Sequence, residues 1–112
     1  MNQISWGEFE NVDLRVGKII EVDNFPEARK PAYKIKVDFG DEIGIKNSSA
    51  QITDLYSKED LINKLIIGVV NFPPKQIGPF ISECLITGFT QADGSVVLAV
   101  PDKNSSIGLK LS

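Results

Sequence analysis

The residues that most often do chemistry are scarce in this sequence. Histidine, the commonest general acid–base side chain and metal ligand, is absent. Cys84, the single cysteine, lies in an apolar run beside Leu85 and Ile86 with no histidine to activate it, so it reads as core filler rather than a nucleophile. Asp38, Asp41 and Glu42 cluster near a turn but lack the spaced oxygen ligands of a calcium loop, so they read as solvated turn acids. Gly40 and Gly44 lie in a strand–turn–strand context, unlike a phosphate-cradling loop that precedes a helix. The expectation is a protein with no catalytic site, no metal and no cofactor: not an enzyme.

Binding chemistry is better represented. Arg29-Lys30-Pro31-Ala32-Tyr33-Lys34-Ile35-Lys36 carries four cations and no acid, whereas residues 1–27 carry six acids against Arg15 and Lys18. The overall charge of −3 argues against coating nucleic acid by cationic attraction alone, but leaves room for a local phosphate-facing patch. Lysines alternating with apolar residues also keep a sheet edge soluble, so the pattern alone admits both readings. A second patch, Lys46-Asn47-Ser48-Ser49-Ala50-Gln51, offers amides and hydroxyls suited to base edges and ribose, or to capping a turn. A third, Asn71 to Glu83, is stiffened by three prolines and presents Lys75, Gln76 and Ser82; Phe72 and Phe80 within it read as core.

The elements that must hold these residues fit one domain, since 112 residues leave no room for a second core. Ser5 and Glu8 have capping-box spacing and predict a helical turn over 5–9. Asp13–Val22 reads as a bent or bulged strand, with Leu14, Val16, Ile20 and Val22 at a period of two and Gly17 and Ile19 near the middle. Tyr33–Phe39 alternates cleanly and points Lys34 and Lys36 outward. A tight turn at Gly40-Asp41 leads into a third strand in which Ile43 and Ile45 continue the buried row, placing Lys34, Lys36 and Lys46 together. Ser57 starts a short helix, 64–71 forms a buried strand, and 72–79 is an irregular loop. A hairpin through Asp93-Gly94 joins 81–88 to 95–100. This order predicts an all-β fold with short helices: an OB-fold five-stranded Greek-key barrel, with its ligand face on strands 2–3. No apolar run is long enough to span a bilayer and the start lacks the order of a signal peptide, so the expected address is cytoplasmic, without membrane insertion.

Three strings carry a family resemblance: Val12-Asp13-Leu14-Arg15-Val16-Gly17, Phe25-Pro26-Glu27-Ala28-Arg29-Lys30-Pro31-Ala32-Tyr33, and Val70-Asn71-Phe72-Pro73-Pro74-Lys75-Gln76-Ile77-Gly78. They resemble the CsaA family over nearly the whole chain. More distantly, Asp13-Leu14-Arg15-Val16 and the Asn71 to Glu83 region are similar to the tRNA-binding domain appended to many methionyl-tRNA synthetases. The same strings are similar to endothelial monocyte-activating polypeptide II. The resemblance implies a homodimer built on the Trp6–Phe9 segment and the tail after Pro101, recognising tRNA by shape as much as by sequence. It also implies a chaperone role in protein secretion, with unfolded or presecretory polypeptides as ligands. The wider family often has glycine and methionine after the Ser82-Glu83 pair; this chain has Cys84 and Leu85, so no role of that methionine carries over. The resulting expectation assigns phosphate contacts to Arg29, Lys30, Lys34, Lys36 and Lys46. RNA contacts are also assigned to Ser48, Gln51, Asn71, Lys75, Gln76 and Ser82.

Overall fold

Ser5 begins the first element as its side chain accepts from Glu8 N while Glu8 returns a carboxylate oxygen to Ser5 N, closing the capping box around α1 (Trp6–Glu10). The computed structural model describes every residue, Met1–Ser112. From α1 the chain enters β1 (Leu14–Asn24), which pairs antiparallel with β2 (Tyr33–Asp38), which in turn pairs with β3 (Ile45–Ala50). A second capping box, Ser57 with Asp60, starts α2 (Lys58–Leu61), and Leu61 is fully buried beneath it.

The chain then returns as β4 (Leu65–Val69) to lie beside β1, and β7 (Leu85–Ile86) adds to β4, giving the sheet order β3-β2-β1-β4-β7. Three hairpin-linked strands followed by a fourth beside the first is a Greek key. Between them lies a small hairpin of β5 (Lys75–Ile77) and β6 (Phe80–Ser82), and after them another of β8 (Gly88–Thr90) and β9 (Val96–Leu98). The barrel nearly closes at a seam between β3 and residues 82–84. There Glu83 N donates to Asn47 O at 2.7 Å and Asn47 N donates to Glu83 Oε1 at 2.9 Å. The fold is an OB-type five-stranded barrel with a core of Ile19, Ile35, Val37, Phe39, Leu61 and Ile66.

Four expectations change. The register of β1 against β2 slips between Ile19 and Glu21, so Ile20 is an extra residue and points outward. The inward row is therefore Gly17, Ile19 and Val22, while Leu14 and Val16 lie on the outer face. Gly17 makes room for the core: a Cβ there would sit 2.5 Å from Val37 Cγ1 and 2.6 Å from Phe39 Cε1. The tight turn at Gly40-Asp41 is instead a longer loop, with Gly40 and Gly44 at φ +88° and +85°, and Ile45 is exposed while Ile43 packs on the core. The proline-rich stretch is not wholly irregular, because β5 and β6 pair across Gly78-Pro79. Finally, Phe72 is 54% exposed rather than core. Phe80 is half-buried, edge-on to Phe25 with ring centroids 5.4 Å apart.

The C-terminal tail finishes the sheet. β2 leaves the edge of β1 vacant before Lys18, and the tail takes it: Gly108 N donates to Val16 O, Val16 N to Leu109 O, and Leu111 N to Leu14 O. Arg15 fastens this arrangement, its Nη1 donating to Gly108 O at 2.9 Å and its Nε to Asp13 Oδ1 at 2.6 Å.

Candidate nucleic-acid interface

Alternation along β2 sends Ile35 and Val37 inward and Lys34 and Lys36 outward, as the sequence predicts. The register fixes their neighbours. Lys36 lies opposite Glu21 on β1 and Asn47 on β3; Lys34 lies opposite Asp23 and Ser49. The Lys36 ammonium donates to Asn47 Oδ1 at 3.0 Å, and Lys34 sits 5.8 Å over the Phe25 ring. The outer face is thus a row of cations between a row of acids and a row of amide and hydroxyl groups. Phe80 borders a shallow depression in it, shared with Glu21, Asp23, Lys34, Lys36 and Asn47.

Lys46 does not join this row. It pairs with Val37, an inward residue, so it projects from the opposite face of β3. For the same reason Ser48, opposite Ile35, is buried, and its hydroxyl donates to the Cys84 carbonyl at 2.9 Å. The outward polar residues of β3 are Asn47 and Ser49, one position either side of the serine singled out from sequence. A one-residue change of parity moves every side chain to the other face, so only the register could identify them.

Arg29 and Lys30 lie in the β1–β2 loop and are exposed. Gln76 is exposed on β5, with its Nε2 donating to Gly78 O at 2.6 Å. Asn71 serves as a clip rather than a free amide. Its Oδ1 accepts from Asp13 N at 3.0 Å and its Nδ2 donates to Asn11 O at 2.7 Å, tying the exit of β4 to the exit of α1.

The remaining residues meet at a groove of about 800 Å³ between the end of β3, the β5–β6 hairpin and the β7–β8 segment. Gln51, Lys75 and Ser82 line it, and Phe72 stands at its wall. Ser82 Oγ accepts from Ser49 N at 3.3 Å, part of the barrel seam. Cys84 also borders the groove, but burial pushes its thiol up to about 12, so it remains protonated and unreactive at neutral pH. The structure therefore offers two surfaces: the polar outer face of β2–β3, and beside it a groove in which Gln51, Lys75 and Ser82 stand among apolar residues such as Ile52, Ile77 and Val96.

The sequence of residues 14–110 matches the model of the family described as "Putative tRNA binding domain". The chain belongs to this tRNA-binding domain family, and within it to the CsaA group. A CsaA chaperone protein of Picrophilus torridus shares 56% identity with it over 98% of this chain and 100% of that one, at a TM-score of 0.92. The chaperone CsaA of Bacillus anthracis is 44% identical over 99% of this chain and all of that one, also at 0.92. A methionine–tRNA ligase of Pyrococcus furiosus is 35% identical over 111 residues. The match takes in 99% of this chain but only 15% of that enzyme, so the chain corresponds to one small part of it. In this tRNA-binding domain the Asp13-Leu14-Arg15-Val16 string has a structural role, since Asp13 orients Arg15 and Arg15 holds the tail at Gly108.

Proposed function

We propose that this protein is a non-catalytic, cytoplasmic tRNA-binding homodimer that takes RNA on the outer face of β2–β3 and the adjoining groove. The family match over residues 14–110 carries the reading. Exposed Arg29, Lys30, Lys36 and Lys75, with half-buried Lys34, make the phosphate contacts in this proposal. Asn47, Ser49, Gln51 and Gln76 supply polar ones. Lys46, on the inward-facing side of β3, does not join this face, and Ser48, Asn71 and Ser82 act by holding the scaffold.

The dimer is supported by apolar surface where a monomeric barrel would be polar. Leu14, Val16, Ile67 and Leu85 lie on the outer side of β1, β4 and β7, half-buried or exposed. Around them Trp6, Val12, Leu109 and Leu111 are exposed, Trp6 by 85%. Such a patch marks an interaction site. Burying it against a second copy brings two cationic faces onto one RNA.

The test is an anisotropy titration with bulk tRNA and with a length-matched unstructured RNA at two salt concentrations, alongside sedimentation to read the mass. Binding that prefers tRNA, weakens steeply with salt and belongs to the dimer is expected. Flat salt dependence or a monomer refutes the corresponding part. A second reading, a chaperone for unfolded polypeptides in protein export, is favoured by the solved CsaA relatives described as chaperones. Reversing charge at Lys34 and Lys36 separates the two, because it removes RNA binding but leaves suppression of aggregation intact.

A further inference from the structure

Phe72 follows directly on a buried strand, yet its ring faces solvent. Exposure of a phenyl ring has no packing benefit, and the backbone that carries this one is restrained. Asn71 before it is fixed at both ends of its amide, and Pro73-Pro74 after it restrict the backbone. An exposed aromatic ring on a restrained backbone is a stacking surface with less to order when a ligand arrives.

The groove beside the ring is lined in large part by apolar residues, Ile52, Ile77, Ile86 and Val96 among them, with a set of polar groups between them. Lys75 is exposed and forms no ion pair. Gln51 and Thr90 are exposed at its walls. Glu83 has Oε1 engaged by Asn47 N, which orients the carboxylate and leaves its other oxygen as an acceptor. An aromatic face, one cation, an amide, a hydroxyl and a single acceptor suit a base, a phosphate and a ribose.

A polypeptide strand cannot add to β3 here. Such a chain binds by adding main-chain hydrogen bonds to a free strand edge. The groove-side edge of β3 is already taken, with Asn47 N and O paired to Glu83 and Ser49 N to Ser82 Oγ.

We propose that the groove receives one unstacked nucleotide of a bound RNA, its base lying on the Phe72 ring and its phosphate at Lys75. Glu83 and Gln51 take the exocyclic amine or the ribose hydroxyls. This rests on the tRNA-binding reading and narrows it, because a base inside a duplex presents no face to the ring. The protein should distinguish RNAs that offer an unpaired nucleotide from those that do not.

The experiment uses a single-stranded RNA tetranucleotide containing 2-aminopurine and a blunt duplex carrying the same fluorophore, titrated with the full-length protein. Wild type should quench the single strand and leave the duplex unchanged. Phe72→Ala and Phe72→Leu should weaken single-strand binding by roughly five- to a hundredfold, the range for losing one stacked base. Phe72→Tyr should restore it. Equal binding by Phe72→Leu overturns the proposal, since an apolar contact would then suffice. Bulk tRNA is titrated in parallel. If tRNA binds wild type and Phe72→Ala equally while the tetranucleotide is not quenched, the groove proposal fails and the tRNA reading stands. If tRNA does not bind wild type, both fail. A labelled apolar peptide that needs Phe72, with no tetranucleotide binding, overturns the proposal in favour of a polypeptide ligand.

Discussion

Removing two carboxylates should improve RNA binding. Glu21 and Asp23 are exposed on β1, directly across from Lys36 and Lys34, so any phosphate seated on these lysines also meets two negative charges. Cross-strand side chains stand about 5 Å apart, which puts each carboxylate roughly 7 Å from such a phosphate. Two unit charges at that distance in water repel by about 0.6 kcal/mol. Each neutralisation is then worth about threefold in affinity, and Glu21→Gln with Asp23→Asn about sevenfold, at low ionic strength. At 0.1 M salt the screening length of about 10 Å halves the energy, and the gain falls to about threefold. Anisotropy titration of labelled tRNA at the two salt concentrations reads this directly, and unfolding curves should barely move because both side chains are exposed. Unchanged or weaker binding at low salt would show that phosphate does not approach this face, and the contacts assigned to Lys34 and Lys36 would fall with it.

Ser48→Ala should lower stability by about 0.5–1.5 kcal/mol, since it removes the 2.9 Å donor to the Cys84 carbonyl and leaves only the 3.5 Å bond from Ser82 Oγ, while tRNA affinity of the folded fraction stays constant. Urea unfolding beside binding checks both; lost affinity without lost stability would make Ser48 a ligand contact after all. The Asp13 carboxylate is held below its ordinary 3.8, chiefly by the hydrogen bond from Arg15. Its stabilising contribution is complete above the unfolded value of about 3.9 and is lost as pH falls through the lower folded value. Asp13→Asn should therefore cost stability at pH 7 and little at pH 2, and an equal penalty at both would refute the pairing. Cys84, with its thiol at about 12, should resist a thiol reagent at pH 8 at a rate set by unfolding. Fast labelling of native protein would contradict its burial.

Local chemistry was legible in the sequence where it is decided locally. The Ser5 capping box, the helix start at Ser57, the alternation of β2 and the turn at Asp93-Gly94 depend on residues within a few positions of one another. The family strings likewise pointed to the right barrel. What escaped depends on distant partners. Nothing in the string Lys18-Ile19-Ile20-Glu21 announces which residue bulges; that follows from pairing with β2. The outward positions of β3 depend on how many residues the loop after Phe39 consumes, which turns Asn47 and Ser49 outward and Ser48 inward. The exposure of Phe72 follows from a groove that exists only once β3, β5, β6 and β7 have assembled.

The tail strand carries a consequence for the order of assembly. Arg15 and Gly108 are 93 residues apart, so the contact that completes the edge of β1 closes almost the longest loop the chain contains. Loop-closure entropy makes such a contact late, whereas the β1–β2–β3 meander needs only neighbouring segments. The meander should form the folding nucleus, with the tail docking onto a barrel already in place. Loosening the tail would then hasten unfolding while leaving the folding rate nearly untouched.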